Sequence, residues 1–552
     1  MIYCEDIEAY IRFVRTHPEE VNEERKLLIE NIVVPTLNDP DVVFDAEMFE
    51  KCKAYCEKHY FPLFPFQKFI YAFVFMYKDG EVVFSTFFCL EGRGNGKTSG
   101  FMPLMNFLQT PLHGIKNYHV DIVANSEDQA KEDFNIVYEM LEDSKNRFKK
   151  HFFWTKEIIK NLQTRSEIRY NTSNAKTKDG KKAGAVLFDE YHAYETYDQV
   201  NVFGSQMGKV RHARKFIITT QGYVRDGVLD DTLRICEQIL TSGENEIGYF
   251  PFICKLDSRE EVDDKEKWKK ANPSLEFMPT LRKQIERDYL EMKRLSSKRP
   301  EFMTKRMNLP DRNDEVTVAS WEDILASTVD DPMTRKARST PDLKNKPCII
   351  GIDYADIRDF ASAGLLFKID GEYIWRQHTW ICKNSPFFES IKFPFNRYGE
   401  EEYQDFEIVD ERSLSAAAIV QWCMDQMQEY QVQKIVMDTY RFSLFREAFE
   451  QMGVPIESKK NPYGLVRMIR HVGSINTLTA PLIEVAFVDH AVNFGASAIM
   501  RWFTNNTSVH IDKLGNKSYG KIEPKLRKND GFMAFVVAMS CEKLLEEQIL
   551  II

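Results

Sequence analysis

A glycine-rich stretch between a predicted strand and a predicted helix has the composition of a phosphate-binding loop. The strand is predicted at 82–90, and the helix is predicted to begin near Thr98. In this order, small residues let consecutive backbone N–H groups surround phosphates, and the helix N-terminus adds a favourable dipole. The alternative is a glycine-rich turn without a ligand. The candidate nucleotide-binding residues are Gly92, Arg93, Gly94, Asn95, Gly96, Lys97 and Thr98.

Two residues of this loop have the chemistry that a nucleoside triphosphate and its metal require. Lys97 is predicted to reach the β- and γ-phosphates, and the Thr98 hydroxyl to ligate Mg²⁺. The loop departs from the standard pattern, because Glu91 or Gly92 must serve as its leading residue. Arg93 adds a second cation directed at the phosphates. ATP with Mg²⁺ is therefore the expected ligand.

Polar residues end two further predicted strands. Asp189 and Glu190 follow the apolar run 184–188, where Asp189 can hold Mg²⁺ through water and Glu190 can polarise the water that attacks the γ-phosphate. The run 215–220 ends in Thr220, which can sense the γ-phosphate if the carboxyl ends of the strands share one edge. The alternative for the acid pair is a solvated turn, and for the threonine an ordinary turn.

Three aspartates in the second half of the chain could form a metal site. Asp353 lies within a predicted strand at 348–354, Asp438 ends a predicted strand at 434–438, and Asp530 precedes a long apolar helix. Crowded carboxylates need cations, and two Mg²⁺ or Mn²⁺ ions held in this way support attack of water on a phosphodiester. Asp359 is a further candidate ligand. Singly, these acids could be a satisfied buried acid or helix caps.

The elements that must position these residues alternate along the chain. Strands separated by amphipathic helices predict an α/β fold with mostly parallel sheets, and a polar segment with turn signals separates two such patterns. We predict an N-terminal helical lead-in at 1–60, an ATPase domain at 61–310, a linker at 311–346 and a second domain at 347–552.

Composition sets outer limits on the function. The chain has 552 residues, 43% hydrophobic and 29% charged, which is typical of globular protein. A net charge of −10 argues against a uniformly basic nucleic-acid-binding surface but permits a local basic channel. Cys52 and Cys56 are predicted to be buried free thiols, because no second pair completes a zinc site. No signal peptide or membrane span is evident, so a cytosolic protein is expected.

In motif order, the chain resembles the large terminase subunits of tailed bacteriophages and prophages, over nearly its whole length. Besides the loop and the acids above, the resemblance rests on Phe66–Gln67, 124–130, Tyr191–His192, 219–222, 268–273, 302–308, Tyr440–Arg441, 500–502, Asn505 and Gly531.

What the resemblance implies is a two-domain machine. A P-loop ATPase of the additional-strand (ASCE) class would translocate double-stranded DNA into a procapsid, and an RNase H-like nuclease would cut concatemeric DNA. Gln67 would contact adenine. Expected partners are the DNA, the small terminase subunit and the portal, with the protein working as a homo-oligomeric ring, in the host cytoplasm and transiently docked on the procapsid. The alternative is a DNA helicase or remodelling ATPase without nuclease activity, which would leave the aspartate trio unexplained.

One feature of the family pattern has no clear counterpart. The family uses an arginine that completes a neighbouring subunit's ATP site. Just before the 184–188 run this chain offers only lysines, which lack the rigid guanidinium fork. Arg211 and Arg214 lie nearby in sequence. The candidates for this role are therefore Arg211, Arg214, Lys176, Lys178, Lys181 and Lys182, and the sequence does not decide among them.

Overall fold

The chain folds into two compact units, Met1–Asp311 and Arg312–Ile552. The computed structural model describes residues 2–171, 182–194, 197–204, 209–311, 317–354, 360–386, 388, 391, 393–411, 413–439, 442–469, 472–511, 515–522 and 527–546, without the side chains of 198–199, 296 and 472–477. The predicted lead-in 1–60 is part of the first unit, and most of the predicted linker 311–346 is part of the second. The four-part division itself stays a prediction.

The first unit is an α/β structure. Its helices are α1 Glu5–Thr16, α2 Glu23–Leu27, α3 Val34–Asn38, α4 Ala46–His59, α5 Pro65–Val74, α6 Lys97–Leu108, α7 Glu127–Asp143, α8 Lys145–Phe148, α9 Asp198–Gly204, α10 Val228–Ser242, α11 Pro279–Arg294 and α12 Arg299–Glu301. Its strands are β1 Val42–Phe44, β2 Met76–Lys78, β3 Glu81–Val82, β4 Thr86–Leu90, β5 Val120–Val123, β6 Phe152–Trp154, β7 Ile158–Asn161, β8 Glu167–Asn171, β9 Ala185–Phe188, β10 Arg214–Thr219 and β11 Tyr249–Ile253. Short 3₁₀ or π segments lie at Leu28–Val33, Tyr191–Ala193, Glu260–Asp263, Lys265–Lys270, Ser296–Lys298 and Phe302–Arg306.

The main sheet of this unit has eight strands in the order β11-β4-β10-β9-β5-β8-β7-β6. Neighbours from β11 to β8 are parallel, and β7 and β6 are antiparallel additions. Since β10 lies between β4 and β9, an additional strand separates the loop-bearing strand from the acid-bearing strand. This order confirms the predicted mostly parallel α/β sheet. The predicted strand 82–90 is shorter in the structure, because Glu81–Val82 pair with β2 in a separate three-stranded sheet.

Residues 254–311, which we call the cap segment, pack around a small core of their own. Trp268, Leu281, Ile285, Phe302 and Met303 are buried in it. The core of the main sheet is separate, and the helices of the N-terminal region pack against it. The cap segment follows β11 directly, so the chain passes from the sheet edge into this second core.

The second unit is built on a mixed seven-stranded sheet in the order β17-β16-β15-β14-β18-β19, with β20 paired to β16. Its strands are β12 Val329–Asp331, β13 Lys336–Ala337, β14 Pro347–Tyr354, β15 Phe360–Ile369, β16 Glu372–Cys382, β17 Phe406–Val409, β18 Gln431–Asp438, β19 Val466–Ile469, β20 Val492–Asn493, β21 Thr507–Ile511 and β22 Lys517–Lys521. Its helices are α13 Trp321–Ala326, α14 Ala416–Glu429, α15 Phe442–Gln451, α16 Val472–Val488, α17 Ala498–Asn505 and α18 Asp530–Met539, with 3₁₀ turns at Phe395–Arg397, Glu401–Tyr403 and Glu542–Leu545.

This sheet begins as an antiparallel meander and continues with parallel strands. β14, β15 and β16 are antiparallel neighbours, whereas β18 and β19 run parallel to β14. Buried apolar side chains of the central strands point to both sides of the sheet. Helices cover both faces of the sheet and shield these side chains from water. Within the predicted linker, α13 buries Ile324 in one of these cores.

Two further sequence predictions concern the chain as a whole. Cys52 and Cys56 are buried in α4 as free thiols, as predicted. In the part of the chain that the structure describes, no helix is long and apolar enough to cross a membrane.

Gly351 permits the close contact of α18 with β14. A Cβ atom at this position would lie 2.1 Å from the Ala534 carbonyl oxygen, so the helix would have to move. We expect Gly351→Ala to destabilise the second unit by about 1–3 kcal/mol or more, as overpacking of a core does. Urea unfolding measures this, with Gly204→Ala as the control, because a Cβ there meets nothing within 4 Å. Equal stability of Gly351→Ala and wild type would contradict the packing argument.

Candidate active sites

The first site lies where three parallel strands end. Thr219 of β10 lies beside Leu90 of β4, and Ile217 lies beside Phe188 of β9. The glycine-rich loop follows β4, and Asp189 follows β9. In an open parallel sheet, this carboxyl edge is where ligands bind. The register therefore brings the predicted loop, acid pair and threonine segment to one edge.

The loop has the conformation that a phosphate cradle requires. Gly94 and Gly96 have φ angles of 94° and 78°, in the left-handed region that favours glycine. α6 begins at Lys97, so its N-terminus points into the loop. The Lys97 Nζ donates to the carbonyl oxygens of Glu91 at 3.0 Å and Gly92 at 3.3 Å, which keeps the ammonium over the loop.

Thr98 and Asp189 meet directly across the edge. The Thr98 hydroxyl donates to Asp189 Oδ2 at 2.9 Å, and the Glu190 N–H donates to Asp189 Oδ1 at 2.6 Å. Burial, together with the nearby Glu190 carboxylate, raises the pKa of Asp189. A hydroxyl and a carboxylate at this separation supply the oxygen donors that Mg²⁺ prefers. The residues present therefore fit a magnesium ion.

Glu190 follows in a strained backbone conformation. Its φ of 49° lies in the left-handed region, which is uncommon for residues other than glycine. The Glu190 Oε2 lies 3.2 Å from His192 Nε2. Strain of this kind concentrates at functional sites. Glu190 therefore occupies a strained turn directly after Asp189.

A third acid, which sequence reasoning missed, lies behind this pair. Asp133 of α7 is 2% exposed, and its Oδ2 has no hydrogen-bond partner among the described residues. Burial, followed by the repulsion and hydrogen bonding of Asp189, raises the pKa of Asp133 to about 9. Asp133 is therefore protonated more readily than an exposed aspartate, which reduces the crowding of negative charge behind Asp189. A single acid in an amphipathic helix gives no sequence signal for this.

The cap segment binds the backbone of the phosphate loop. The Gly92 N–H donates to the Ala271 carbonyl at 2.9 Å, and the Arg93 N–H donates to the Lys305 carbonyl at 2.7 Å. A Cβ on Gly92 would lie 2.3 Å from the Asn272 Oδ1, so only glycine fits there. The motifs 268–273 and 302–308, for which sequence analysis indicates no mechanism, therefore support the loop.

Asn95 joins the loop to the cap segment through its side chain. Its Nδ2 donates to the Gly92 carbonyl at 2.8 Å and to Asn272 Oδ1 at 2.7 Å. Its Oδ1 accepts from the Ser274 N–H at 3.0 Å, and Asn95 is fully buried. The Asn95 side chain thus fixes the loop, and its contribution to a ligand would come from the backbone.

Arg93 and Arg306 meet at the outer side of the loop. Arg306 Nη1 donates to the Arg93 carbonyl at 2.5 Å, and its Nη2 lies 2.8 Å from Asp288. The Arg93 guanidinium itself lies 3.6 Å from Glu301 and is about half exposed. The second cation predicted in the loop is therefore turned toward the cap segment in this structure.

The remaining predicted nucleotide contacts lie at the border of the site. Gln67 is 6% exposed, and its Oε1 accepts from the Phe64 N–H at 3.0 Å, which caps α5. Thr220 is buried and donates to the Gln221 carbonyl at 3.1 Å. A largely apolar cavity of about 260 Å³ opens beside Phe66, between α1 and the cap segment residue Phe277.

The second site forms on one face of the other sheet. Side chains alternate along a strand, and Ile349 and Val436 point into the core under α18, whereas Ile350 and Ile435 point to the opposite face. By the same alternation Asp353 and Asp438 point to the α18 face. Ile352 lies beside Met437, so these two aspartates end neighbouring parallel strands.

Asp530 is the first residue of α18 and completes the group. It is fully buried, and Lys521 Nζ lies 3.4 Å and 3.5 Å from its two carboxylate oxygens. Burial, then Asp530 and to a lesser degree Asp438, raises the pKa of Asp353 to about 8, against the opposing charge of Lys521. Lys521 thus partly neutralises the acids, where a metal ion would do so more fully.

The acids approach one another without forming a closed metal cage. No group of three or more His, Cys, Asp or Glu side chains among the described residues is arranged to hold an ion. The donor set nevertheless fits Mg²⁺ or Mn²⁺, since it consists of carboxylates and a lysine already faces Asp530 as a cation. Asp359 and Tyr440–Arg441 lie outside the described residues.

Comparisons with known proteins match both units. The model of the terminase large subunit ATPase domain matches residues 65–238, and that of the terminase large subunit endonuclease domain matches residues 244–544. The chain belongs to the terminase large subunit family. The endonuclease model begins before the second unit does, so it also takes in the cap segment.

The chain is similar to individual relatives over most of its length. The terminase large subunits of Lactococcus phages SK1 and p2 are each 22% identical to the chain over 473 residues, which is 83% of this chain and 82% of each relative. The crystal structure of the HK97 bacteriophage large terminase is similar over 90% of this chain and all of that one, at 15% identity and a TM-score of 0.48.

The family assignment confirms several predictions. The protein is a DNA-packaging terminase large subunit with an ATPase domain and a nuclease domain, and the helicase alternative is not supported. The α/β fold class is confirmed as well. The roles of individual site residues stay predictions, although the structure brings Thr98, Asp189 and Glu190 together at one edge and Asp353, Asp438 and Asp530 on one face.

The structure also reduces the number of candidates for the residue that would complete a neighbouring subunit's ATP site. Arg214 is fully buried, and its Nη2 donates to the Val74 carbonyl at 2.7 Å, so it cannot reach another subunit. Arg211 is exposed at the start of β10, the end opposite the phosphate loop. Lys182 is exposed as well, whereas the lysines at 176, 178 and 181 lie outside the described residues.

Glu91, under the phosphate loop, gives a prediction on pH and stability. It is 1% exposed, and burial raises its pKa to about 7 against the attraction of Lys97 and Arg25. An acid whose pKa is raised in the folded state binds its proton more tightly there than in the unfolded chain. Its contribution therefore favours folding at low pH and is lost as the pH rises through about 7.

We expect Glu91→Gln to leave stability nearly unchanged at about pH 5 and to raise it at about pH 8, by at most roughly 3 kcal/mol. Urea unfolding without nucleotide at both pH values measures the difference. Glu244→Gln, at an exposed position, should change stability at neither pH. If the stability difference between Glu91→Gln and wild type did not increase from low to high pH, the pKa of Glu91 would not be raised by burial.

Proposed function

We propose that Lys97, Thr98, Asp189 and Glu190 are the hydrolytic centre of the ATPase domain. The observation that carries the proposal is the 2.9 Å hydrogen bond between Thr98 and Asp189, at the edge where the phosphate loop opens. Gly94, Asn95 and Gly96 supply backbone N–H groups, Gly92 and Arg93 shape the loop through their N–H bonds to the cap segment, and Gln67 and Thr220 border the site.

In this centre the groups of the protein have separate tasks. The loop N–H groups and Lys97 bind the phosphates, and Thr98 with Asp189 holds Mg²⁺. When bound, Mg²⁺ supplies charge neutralisation for phosphoryl transfer. Glu190 orients the attacking water and accepts its proton.

Glu190→Gln should bind ATP nearly as wild type does but hydrolyse it roughly 10²- to 10⁴-fold more slowly, because only the proton acceptor is lost. Steady-state phosphate release and fluorescent-nucleotide binding measure the two properties. Glu139→Gln, at an exposed position on α7, serves as the control. Hydrolysis by Glu190→Gln at the wild-type rate would refute the role of Glu190.

For the nuclease domain, we propose that Asp353, Asp438 and Asp530 hold two Mg²⁺ or Mn²⁺ ions and that Asp359 is an additional ligand. The supporting observation is the convergence of the first three on the α18 face, with a raised pKa on Asp353 caused by burial and by Asp530. When bound, the ions supply a nucleophilic water and stabilise both displaced and attacking oxygens. The carboxylates hold and orient them.

Asp353→Ala should abolish plasmid cutting in Mn²⁺ or Mg²⁺ and weaken Mn²⁺ binding measured by electron paramagnetic resonance, while ATPase activity survives. Asp438→Ala should behave in the same way, because it removes a ligand from the neighbouring strand. The control is Asp425→Ala on the exposed side of α14. Plasmid cutting by Asp353→Ala at the wild-type rate would contradict the proposed role of the aspartates. Loss of both plasmid cutting and ATP hydrolysis would indicate misfolding.

The wider assembly follows from the family assignment. We propose that ATP hydrolysis translocates double-stranded DNA into the procapsid and that the nuclease cuts concatemeric DNA. The small terminase subunit and the portal would be its partners. The protein would act as a homo-oligomeric ring, in the host cytoplasm and transiently docked on the procapsid. Support for this proposal is the match of both domain models in one chain.

A further inference from the structure

Lys305 of the cap segment reaches into the hydrolytic centre from outside the sheet. It is 6% exposed, and its Nζ lies 2.7 Å from His192 Nε2 and 2.8 Å from the Gln221 carbonyl. Its own carbonyl accepts the Arg93 N–H of the phosphate loop at 2.7 Å. One residue thus contacts the phosphate loop by its backbone and the segments after β9 and β10 by its side chain.

The hydrogen bonds around His192 determine which of its nitrogens carries the proton. The Thr219 hydroxyl donates its only hydrogen to the Thr220 carbonyl at 2.8 Å, so it must accept from His192 Nδ1 at 3.1 Å. His192 Nε2 is then the unprotonated nitrogen and accepts from the Lys305 ammonium. Burial and the charge of Lys305 lower the pKa of His192 to about 3, in agreement with a neutral ring.

Glu190 lies beside this pair. Its Oε2 is 3.2 Å from His192 Nε2, which has no proton to donate, so this contact alone would not hold a carboxylate. The Lys305 Nζ lies 2.7 Å from the same nitrogen, so Lys305 and Glu190 meet on His192. Burial lowers the pKa of Lys305, and the Glu190 carboxylate opposes this change. The carboxylate therefore lies on the same histidine nitrogen as a cation of the cap segment.

We propose that Lys305 is a positioning residue for ATP hydrolysis, which holds His192 and Glu190 in place from the cap segment. The inference rests on the proposed role of Glu190. Because the lysine belongs to a segment with its own core, movement of the cap segment relative to the sheet would move the ammonium away from Glu190. Hydrolysis then depends on the cap segment lying against the phosphate loop.

A merely structural role for Lys305 predicts different behaviour. Its backbone carbonyl supports the phosphate loop, and this contact survives any change of side chain. If the side chain served only to brace the loop, its loss would weaken nucleotide binding as much as hydrolysis. If it positions Glu190, hydrolysis should fall while nucleotide binding stays.

The experiment compares Lys305→Met, Lys305→Arg, His192→Phe and the Lys305→Met/His192→Phe double variant in the full chain. Lys283→Met, at an exposed position on α11 in the same segment, is the control. For each we would measure kcat and KM for ATP, affinity for a fluorescent ATP analogue, and plasmid cutting. We expect Lys305→Met to lower kcat roughly 10- to 100-fold, as misplacement of a catalytic group does, with unchanged affinity and cutting.

The kcat of His192→Phe should fall by a similar factor. The kcat of the double variant should fall by little more, because both residues act on Glu190. Lys305→Arg should recover part of kcat, since it keeps the charge. Wild-type kcat in Lys305→Met, fully additive losses in the double variant, or a loss of affinity equal to that of kcat would each overturn the inference. Absence of ATP hydrolysis by the wild-type chain would instead overturn the proposed function.

Discussion

In both sites, carboxylates are buried close together at the ends of strands or at the start of a helix, and this burial costs free energy. Asp189 is 2% exposed and Asp530 is fully buried, and each has a second acid nearby. Like charges in a poorly solvated position must be met by cations, protons or hydrogen bonds. The structure meets this cost differently in the two sites.

In the ATPase site, hydrogen bonds compensate the charge. Thr98 and the Glu190 N–H bind the two oxygens of Asp189, and the pKa of Asp133 behind it is raised. In the nuclease site the compensation is weaker, because Lys521 Nζ lies 3.4 Å from Asp530, beyond the usual length of a charge-assisted hydrogen bond. The remaining negative charge favours a cation at this site.

The cap segment gives the phosphate loop a rigidity that the sheet alone does not provide. Backbone and side-chain contacts from 271–274 and 305–306 hold the loop on the side away from α6. Since these contacts come from a separate core, the loop joins two bodies of packed side chains.

The sequence by itself determined the local chemistry: the loop 92–98, the acid pair Asp189–Glu190, the three aspartates and the alternation of strands and helices, because these depend on residues close in the chain. Only the tertiary structure decided which distant residues complete the sites. Asp133 and Lys521 have no local pattern that marks them, and the motifs that contain Asn272 and Lys305 do not indicate contact with the phosphate loop or with His192. Their roles follow from packing and from strand register, which bring together residues more than a hundred positions apart, such as Lys305 and His192.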